Sequence, residues 1–296
     1  MVQAQKYRRG STKLCLTSYF LGVAFLAASC SSSDNASTTS KLNLNLSGLE
    51  NLGSNFKYEG WIVVNGAPVT TGTFTVNDAG TLSKTQFDVN TTQLNSATDF
   101  VLSIEPTTDT DPAPSNTKYI SGSFSGTTAT VSTGIVGNFS ASSGKYLLAS
   151  PSNGNVNPNA GVWFMDGSGP SVGLNLPTLD SGWKYEGWVV SNGVVLSTGK
   201  FSNPNGSDDA STYSGTMASP PFPGEDFLIN APVGLTFPAN LSGATLVISV
   251  EPFPDNSPMP FTLKPLSHTV ASPAVSGNTI AMTRSLTSFP TGTVTR

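Results

Sequence analysis

After residue 41 the apolar positions recur at a spacing of two and show no sustained helical period. Tyr58 to Val64 is the clearest case. Tyr58, Gly60, Ile62 and Val64 fall on one face of an extended chain, and Glu59, Trp61 and Val63 on the other. Asn65-Gly66 follows, and both residue types tolerate positive φ, so a tight hairpin turn is predicted there. Thr71 to Val76 then returns antiparallel. Phe100–Glu105 and Thr245–Glu251 are further strands, each stopped by a proline that cannot donate to a ladder, Pro106 and Pro252. Tyr146–Ala149 and Gly161–Met165 read as strands flanking an Asn/Gly/Pro loop. Thr107–Asn116 and Phe253–Pro260 read as loops. Short β-branched and aromatic runs with turn residues every 8–12 positions are the signature of a sandwich or barrel.

The pattern occurs twice. Phe56-Lys57-Tyr58-Glu59-Gly60-Trp61 returns as Trp183-Lys184-Tyr185-Glu186-Gly187-Trp188, 127 residues later. Thr71-Gly72-Thr73-Phe74 returns at the same offset as Thr198-Gly199-Lys200-Phe201. Leu102-Ser103-Ile104-Glu105-Pro106 returns as Ile248-Ser249-Val250-Glu251-Pro252 at an offset of 146, so the second copy carries 19 additional residues. Val172–Leu176 resembles Leu42–Leu46 and starts the second copy. The expected architecture is all-β, with two tandem immunoglobulin-like antiparallel β-sandwich units after a signal peptide and tether. Their bounds are residues 41–145 and 172–296, with connecting strands and a loop at 146–171. Two separate domains and one composite body with shared strands both fit.

The first 29 residues have the layout of a secretory signal peptide. Lys6, Arg8, Arg9 and Lys13 precede an apolar run, Leu14–Ala28, that ends in small residues. Leu26-Ala27-Ala28-Ser29-Cys30 resembles a bacterial lipobox, in which cleavage before the cysteine leaves its thiol to carry diacylglycerol. Ala27 stands where leucine is commonest. Two other readings are an unmodified Cys30 after ordinary cleavage and retention of the run as an anchor. That run falls short of the ~20 residues that span a bilayer. Residues 30–40, small, polar and almost uncharged, read as a flexible tether. The expected location is therefore the cell envelope, lipid-anchored at Cys30 on an extracytoplasmic face.

Removal of residues 1–29 takes four of the 14 Lys+Arg and none of the 18 Asp+Glu, leaving a net charge of −8. Such a surface argues against nucleic acid, which demands a basic patch. Cys15 lies within the leader and Cys30 would be lipidated, so no disulfide or thiolate metal site is expected. His268 is the only histidine, and with no second His and no Cys in the body a metal or triad reading is weak, so it reads as an incidental surface or strand residue. Glu59 and Glu186, and Glu105 and Glu251, recur because the phrases recur, and they read as strand-end or edge charges rather than a glycosidase pair. Thr107–Asp111 and Asn205–Asp209 are oxygen-rich, but neither has the twelve-residue calcium-loop pattern. No catalytic set, cofactor or metal is expected, and the function expected is that of a non-enzymatic binding or sensing module with an envelope protein as a candidate partner.

Trp61 and Trp188 read as core fillers. The additional residues of the second copy, about Pro220 to Pro238, hold Phe222, Phe227 and Phe237 among five prolines. A Pro-rich loop with aromatics is a candidate contact surface, or else it folds down on its own domain. Candidate binding residues are Phe222, Phe227, Phe237 and Trp163.

At these phrases a family resemblance enters. A Tyr-x-x-Trp strand, an Asn-Gly turn, a Gly-x-Phe return and an apolar-Ser-apolar-Glu-Pro strand resemble the extracytoplasmic C-terminal domain of anti-sigma-K factors. The first copy carries the pattern at Tyr58, Trp61, Gly66, Gly72, Phe74, Glu105 and Pro106. The second carries it at Tyr185, Trp188, Gly193, Gly199, Phe201, Glu251 and Pro252. The resemblance implies an extracytoplasmic β-sandwich. The family's sigma-binding segment and membrane helix have no counterpart in these phrases. Its alternative implication is therefore a regulatory part in an envelope-stress pathway, exerted through a membrane-spanning partner.

Overall fold

The computed structural model describes residues 38–167, 169–254 and 257–296. Cys30, the signal peptide and most of the tether lie outside the described residues. Residues 37–296 cluster as one compact unit. The fold is all-β, built of antiparallel sheets packed around a core of alternating apolar residues.

The first half supplies β1 (Thr39–Ser47), β2 (Phe56–Val64), β3 (Ala67–Phe74), β4 (Gln86–Asn90), the short helix α1 (Thr91–Ser96), β5 (Asp99–Pro106), β6 (Lys118–Ser125) and β7 (Thr128–Val131). β1 begins inside the span read as tether, because Thr39 and Ser40 already pair with Asn90 and Val89 of β4. A middle segment follows with β8 (Ser143–Leu148), β9 (Gly161–Trp163) and a small ribbon of β10 (Met165–Asp166) and β11 (Ser171–Val172). The second half holds β12 (Leu174–Asn175), β13 (Trp183–Ser191), β14 (Val194–Phe201), β15 (Gly224–Asp226), β16 (Thr245–Pro252), β17 (Leu266–Thr269), β18 (Ile280–Ala281), β19 (Thr283–Arg284) and β20 (Thr291–Thr295).

The recurring phrases adopt recurring geometry. Asn65 and Gly66 have φ of +52° and +79°, and Asn192 and Gly193 have +51° and +77°, as a two-residue hairpin turn requires. Both hairpins carry a register shift, after Gly60 in β2 and after Gly187 in β13. The shift brings a threonine hydroxyl across the glycine. A Cβ on Gly60 would sit 2.5 Å from Thr71 Oγ1, and one on Gly187 2.2 Å from Thr198 Oγ1. That close approach explains why the Glu-Gly-Trp and Thr-Gly phrases occur together.

Strand order shows how the halves are joined. The first sheet runs β3-β2-β5-β6-β7-β20-β1-β4. Its sixth member, β20, is the last strand of the chain. It pairs with β1 from Asn43↔Thr295 to Ser47↔Thr291, and with β7 from Gly292↔Val131 to Thr295↔Thr128. β8 makes the opposite journey. It follows β7 in sequence, yet it pairs with β12 and β18 of the second half and with β9 of its own middle segment. The second half thus supplies β20 to the first sheet, while β8 of the middle segment pairs with β12 and β18 of the second half. The two connecting segments meet where Phe139 and Phe289 pack edge to face, ring centroids 5.4 Å apart.

The core is continuous across this junction. Tyr119 packs on Tyr58 at 6.2 Å, on Trp183 at 5.6 Å and on Phe261 at 5.4 Å. Trp183 Nε1–H donates to the Lys118 carbonyl at 3.2 Å, and the Phe253 N–H donates to the Gly182 carbonyl at 2.8 Å. Burial pushes the Tyr58 and Tyr119 phenols far above their ordinary pKa, with Glu50 adding to both shifts, so both rings stay neutral.

Candidate functional site: a polar pocket beside the second-half insertion

Three tryptophans are tied by their indole N–H to buried hydroxyl or carboxylate groups. Trp61 Nε1–H donates to Ser103 Oγ at 2.8 Å, and the Ser103 hydroxyl donates to Glu105 Oε1. Trp188 Nε1–H donates to Ser249 Oγ at 2.7 Å, and the Ser249 hydroxyl donates to Glu251 Oε1. The same carboxylates accept a loop amide, Ser115 N–H on Glu105 and Phe261 N–H on Glu251, both at 2.9 Å. Glu105 and Glu251 are fully buried and Glu186 is 2 % exposed, which corrects the expectation of solubilising edge charges. A strand-end carboxylate is the acceptor that fastens the following loop over the indole. Trp61 and Trp188 are buried, as expected of core residues.

The third indole belongs to a different construction. Trp163 Nε1–H donates to Asp226 Oδ1 at 2.8 Å. Asp226 Oδ2 accepts the Ser152 N–H at 2.7 Å and the Ser152 hydroxyl, and Ser152 Oγ accepts the Gly215 N–H at 2.7 Å. Next to Asp226 on β15, Glu225 Oε1 accepts the Ser214 hydroxyl, while Glu225 Oε2 has no hydrogen-bond partner among the described residues. Asp208 Oδ2 accepts the Gly224 N–H at 2.7 Å. These bonds pin the segment between β14 and β16 onto the middle segment, and β15 pairs with β9 from Gly224↔Trp163 to Asp226↔Gly161.

A cavity of about 320 Å³ opens here. Its wall combines the aromatic residues Trp163 and Phe222 with the Asp208 and Asp209 side chains and a set of serines that includes Ser211 and Ser214. Burial raises Asp208 to about 7, against the amides of Gly224 and Ala210, and the neighbouring Glu225 and Asp209 charges add to the rise. Glu225 and Asp226 are likewise raised, first by burial. Lys200 Nζ lies 3.1 Å from Glu186, and Lys184 Nζ lies 3.8 Å from Asp209 of the cavity wall. The pocket is rich in acceptors, so its chemical complement is a donor-rich ligand.

The four predicted binding residues sort into two pairs. Trp163 and Phe222, 3 % and 6 % exposed, pack with Met165 in a small apolar cluster and offer the cavity only a narrow edge. Phe227 is fully buried, and it joins Tyr213 and the half-buried Phe237 in a three-ring cluster with centroid separations of 5.6–5.9 Å. Phe227 offers no surface to a partner; it and Phe237 hold the insertion against the main core. The aromatic content of the loop is legible in the sequence, and Asp208 lies in the oxygen-rich run 205–209, which lacks the calcium-loop pattern. Among the described residues no three His, Cys, Asp or Glu side chains form a metal-ligating group. His268 sits in β17, its Nδ1 3.0 Å from the Tyr146 hydroxyl of β8.

No protein-family model, curated protein or solved structure matches the chain.

Proposed function

We propose that this chain is a non-enzymatic cell-envelope lipoprotein, anchored through Cys30, whose folded body binds a donor-rich ligand in the pocket beside the second-half insertion. In this reading residues 1–29 are removed, a short tether follows, and the duplicated β-units form a rigid body resembling the extracytoplasmic part of anti-sigma-K factors. The observation that carries the reading is the construction of the pocket. Carboxylates and hydroxyls converge on it beside Trp163 and Phe222, and strand pairing of β15 with β9 holds its floor. Acceptors combined with aromatic edges suit a polyhydroxylated ligand such as a glycan fragment. Glu105 and Glu251 support the non-enzymatic half of the reading, since both are fully buried and each accepts a serine hydroxyl and a loop amide.

The test places a photo-crosslinking residue at exposed Ser211 on the rim, and separately at exposed Thr127 far from it, in intact envelopes. Capture of envelope glycan at position 211 and not at 127 is expected. The same products at both positions would remove the pocket from the proposal. Capture of a membrane-spanning regulator at 211 would move the reading to an envelope-stress pathway. Cys30→Ala, expected to release the protein from the membrane fraction, tests the anchor.

A further inference from the structure

We propose that the pocket beside the insertion is one end of a two-cavity site that takes an uncharged, polyhydroxylated chain of at least two units, laid across the ridge of Asp209 and Ala210. The inference rests on the ligand class proposed above and adds the ligand's length and charge. A second cavity, of about 420 Å³, lies against β13 and β14. Asp209 and Ala210 belong to its wall and to that of the first cavity. Glu186, Ser197, Lys200 and the half-buried Tyr213 also line it. Asp209, Ala210 and Tyr213 come from the segment between the Thr-Gly-Lys-Phe and Ile-Ser-Val-Glu-Pro phrases, where the second copy is the longer one. The added chain therefore builds a wall of both cavities.

The two copies differ here in a way that bears on the ligand. Glu59 stands in register with Thr73, and its counterpart Glu186 with Lys200. Each glutamate accepts a hydroxyl from the facing strand, Glu59 from Thr70 and Glu186 from Ser197. Only the second copy adds an ammonium, with Lys200 Nζ 3.1 Å from Glu186. The ridge is pinned to β14 in both directions. Asp209 N–H donates to the Lys200 carbonyl at 3.0 Å, and Lys200 N–H donates to Asp209 Oδ1 at 2.7 Å. Asp209 Oδ2 lies 3.8 Å from Lys184 Nζ. Two pairs of opposite charge thus border the second cavity, and their charges cancel. Hydroxyl groups both donate and accept, so they suit such a surface, whereas an ionised group on the ligand has to compete with one of the pairs. The first cavity supplies acceptors to the same kind of group. A ridge already held in place adds little ordering cost to binding. Once one unit is bound, contact by the next is intramolecular, so affinity rises with length until both cavities are filled.

Soluble envelope glycan fragments, separated by length from one sugar unit to six, are titrated calorimetrically into the full chain and into Val195→Trp and Lys200→Thr. Val195 borders the second cavity and not the first, so tryptophan there fills the second alone. Lys200→Thr installs the residue that the first copy carries at this register, and it serves as the second variant should tryptophan at 195 lower the Tm. Affinity for the native chain is expected to rise at least tenfold from single units to the longest fragments. Among fragments of equal length, those without ionised groups are expected to bind tightest. In both variants the gain with length is expected to fall below threefold, with single-unit binding unchanged. Single units bound with no gain on lengthening would overturn the two-cavity site and leave the first pocket as proposed. An equal gain in the native chain and in both folded variants would overturn it as well, by placing the added units elsewhere. Absence of binding at every length would remove the ligand class itself, and this extension with it.

Discussion

Ser103 and Ser249 occupy the same position in two relays, each between an indole N–H and a buried glutamate. Removing either hydroxyl leaves a buried donor and a buried carboxylate without their shared partner. Ser103→Ala and Ser249→Ala are each expected to lower the unfolding free energy by ~1–3 kcal/mol, measured by urea denaturation. A loss confined to one of them would show that the relays are not equivalent. Asp208 leads to a pH prediction. Its folded-state pKa is raised to about 7 from an ordinary value of 3.8. The folded protein therefore binds this proton more tightly than the unfolded chain. Its contribution to stability is complete below the ordinary carboxylate range and is lost as pH rises towards and through about 7. Glu225 and Asp226, also raised, act in the same direction. Asp208→Asn is expected to flatten the decline in stability between pH 4 and 7 seen in urea melts; an unchanged slope would place the titration elsewhere.

At the scale of elements, the hairpins show how far local sequence reaches. Asn65-Gly66 and Asn192-Gly193 prescribe positive φ at both turn positions, and the chain adopts it at all four. A Cβ at Gly66 or Gly193 would meet nothing within 4 Å, so substitution there costs backbone strain alone. Gly66→Ala and Gly193→Ala are each expected to destabilise by ~1–2 kcal/mol, read as equal shifts in the denaturation midpoint. The strands before Pro106 and Pro252 were legible for the same reason, because their signal is local. β15 was not. Gly224-Glu225-Asp226 sits among prolines and carries two carboxylates, and only the distant partners Ser152, Ser214 and Trp163 make its burial tolerable. The candidate site was half legible on the same grounds. Phe222 and Trp163, nearly buried, border the cavity, whereas Phe227 and the half-buried Phe237, of the same residue type, pack with Tyr213 against the main core.

For the whole molecule, periodicity and repetition establish an all-β body with two recurring hairpin units, but they do not say which strand completes which sheet. Nothing in Thr291–Thr295 marks a partnership with Leu44 and Leu46, since strand pairing over some 250 residues has no local signature. Placement of β20 in the first sheet, with Tyr119, Trp183 and Phe261 packed across the junction, gives the halves one continuous core. The same continuity fixes the pocket, because Trp163 and Ser152 come from the middle segment and Asp208 and Phe222 from the second half. Calorimetric titration of the protein with soluble envelope glycan fragments, in parallel with Asp208→Asn and Ser211→Trp, addresses this pocket most directly. Saturable binding by the native protein is expected, weakened at least tenfold by filling the rim with Ser211→Trp and made independent of pH near 7 by Asp208→Asn. Binding of the same affinity in all three proteins would place the ligand elsewhere on the body and leave the pocket without the role proposed for it.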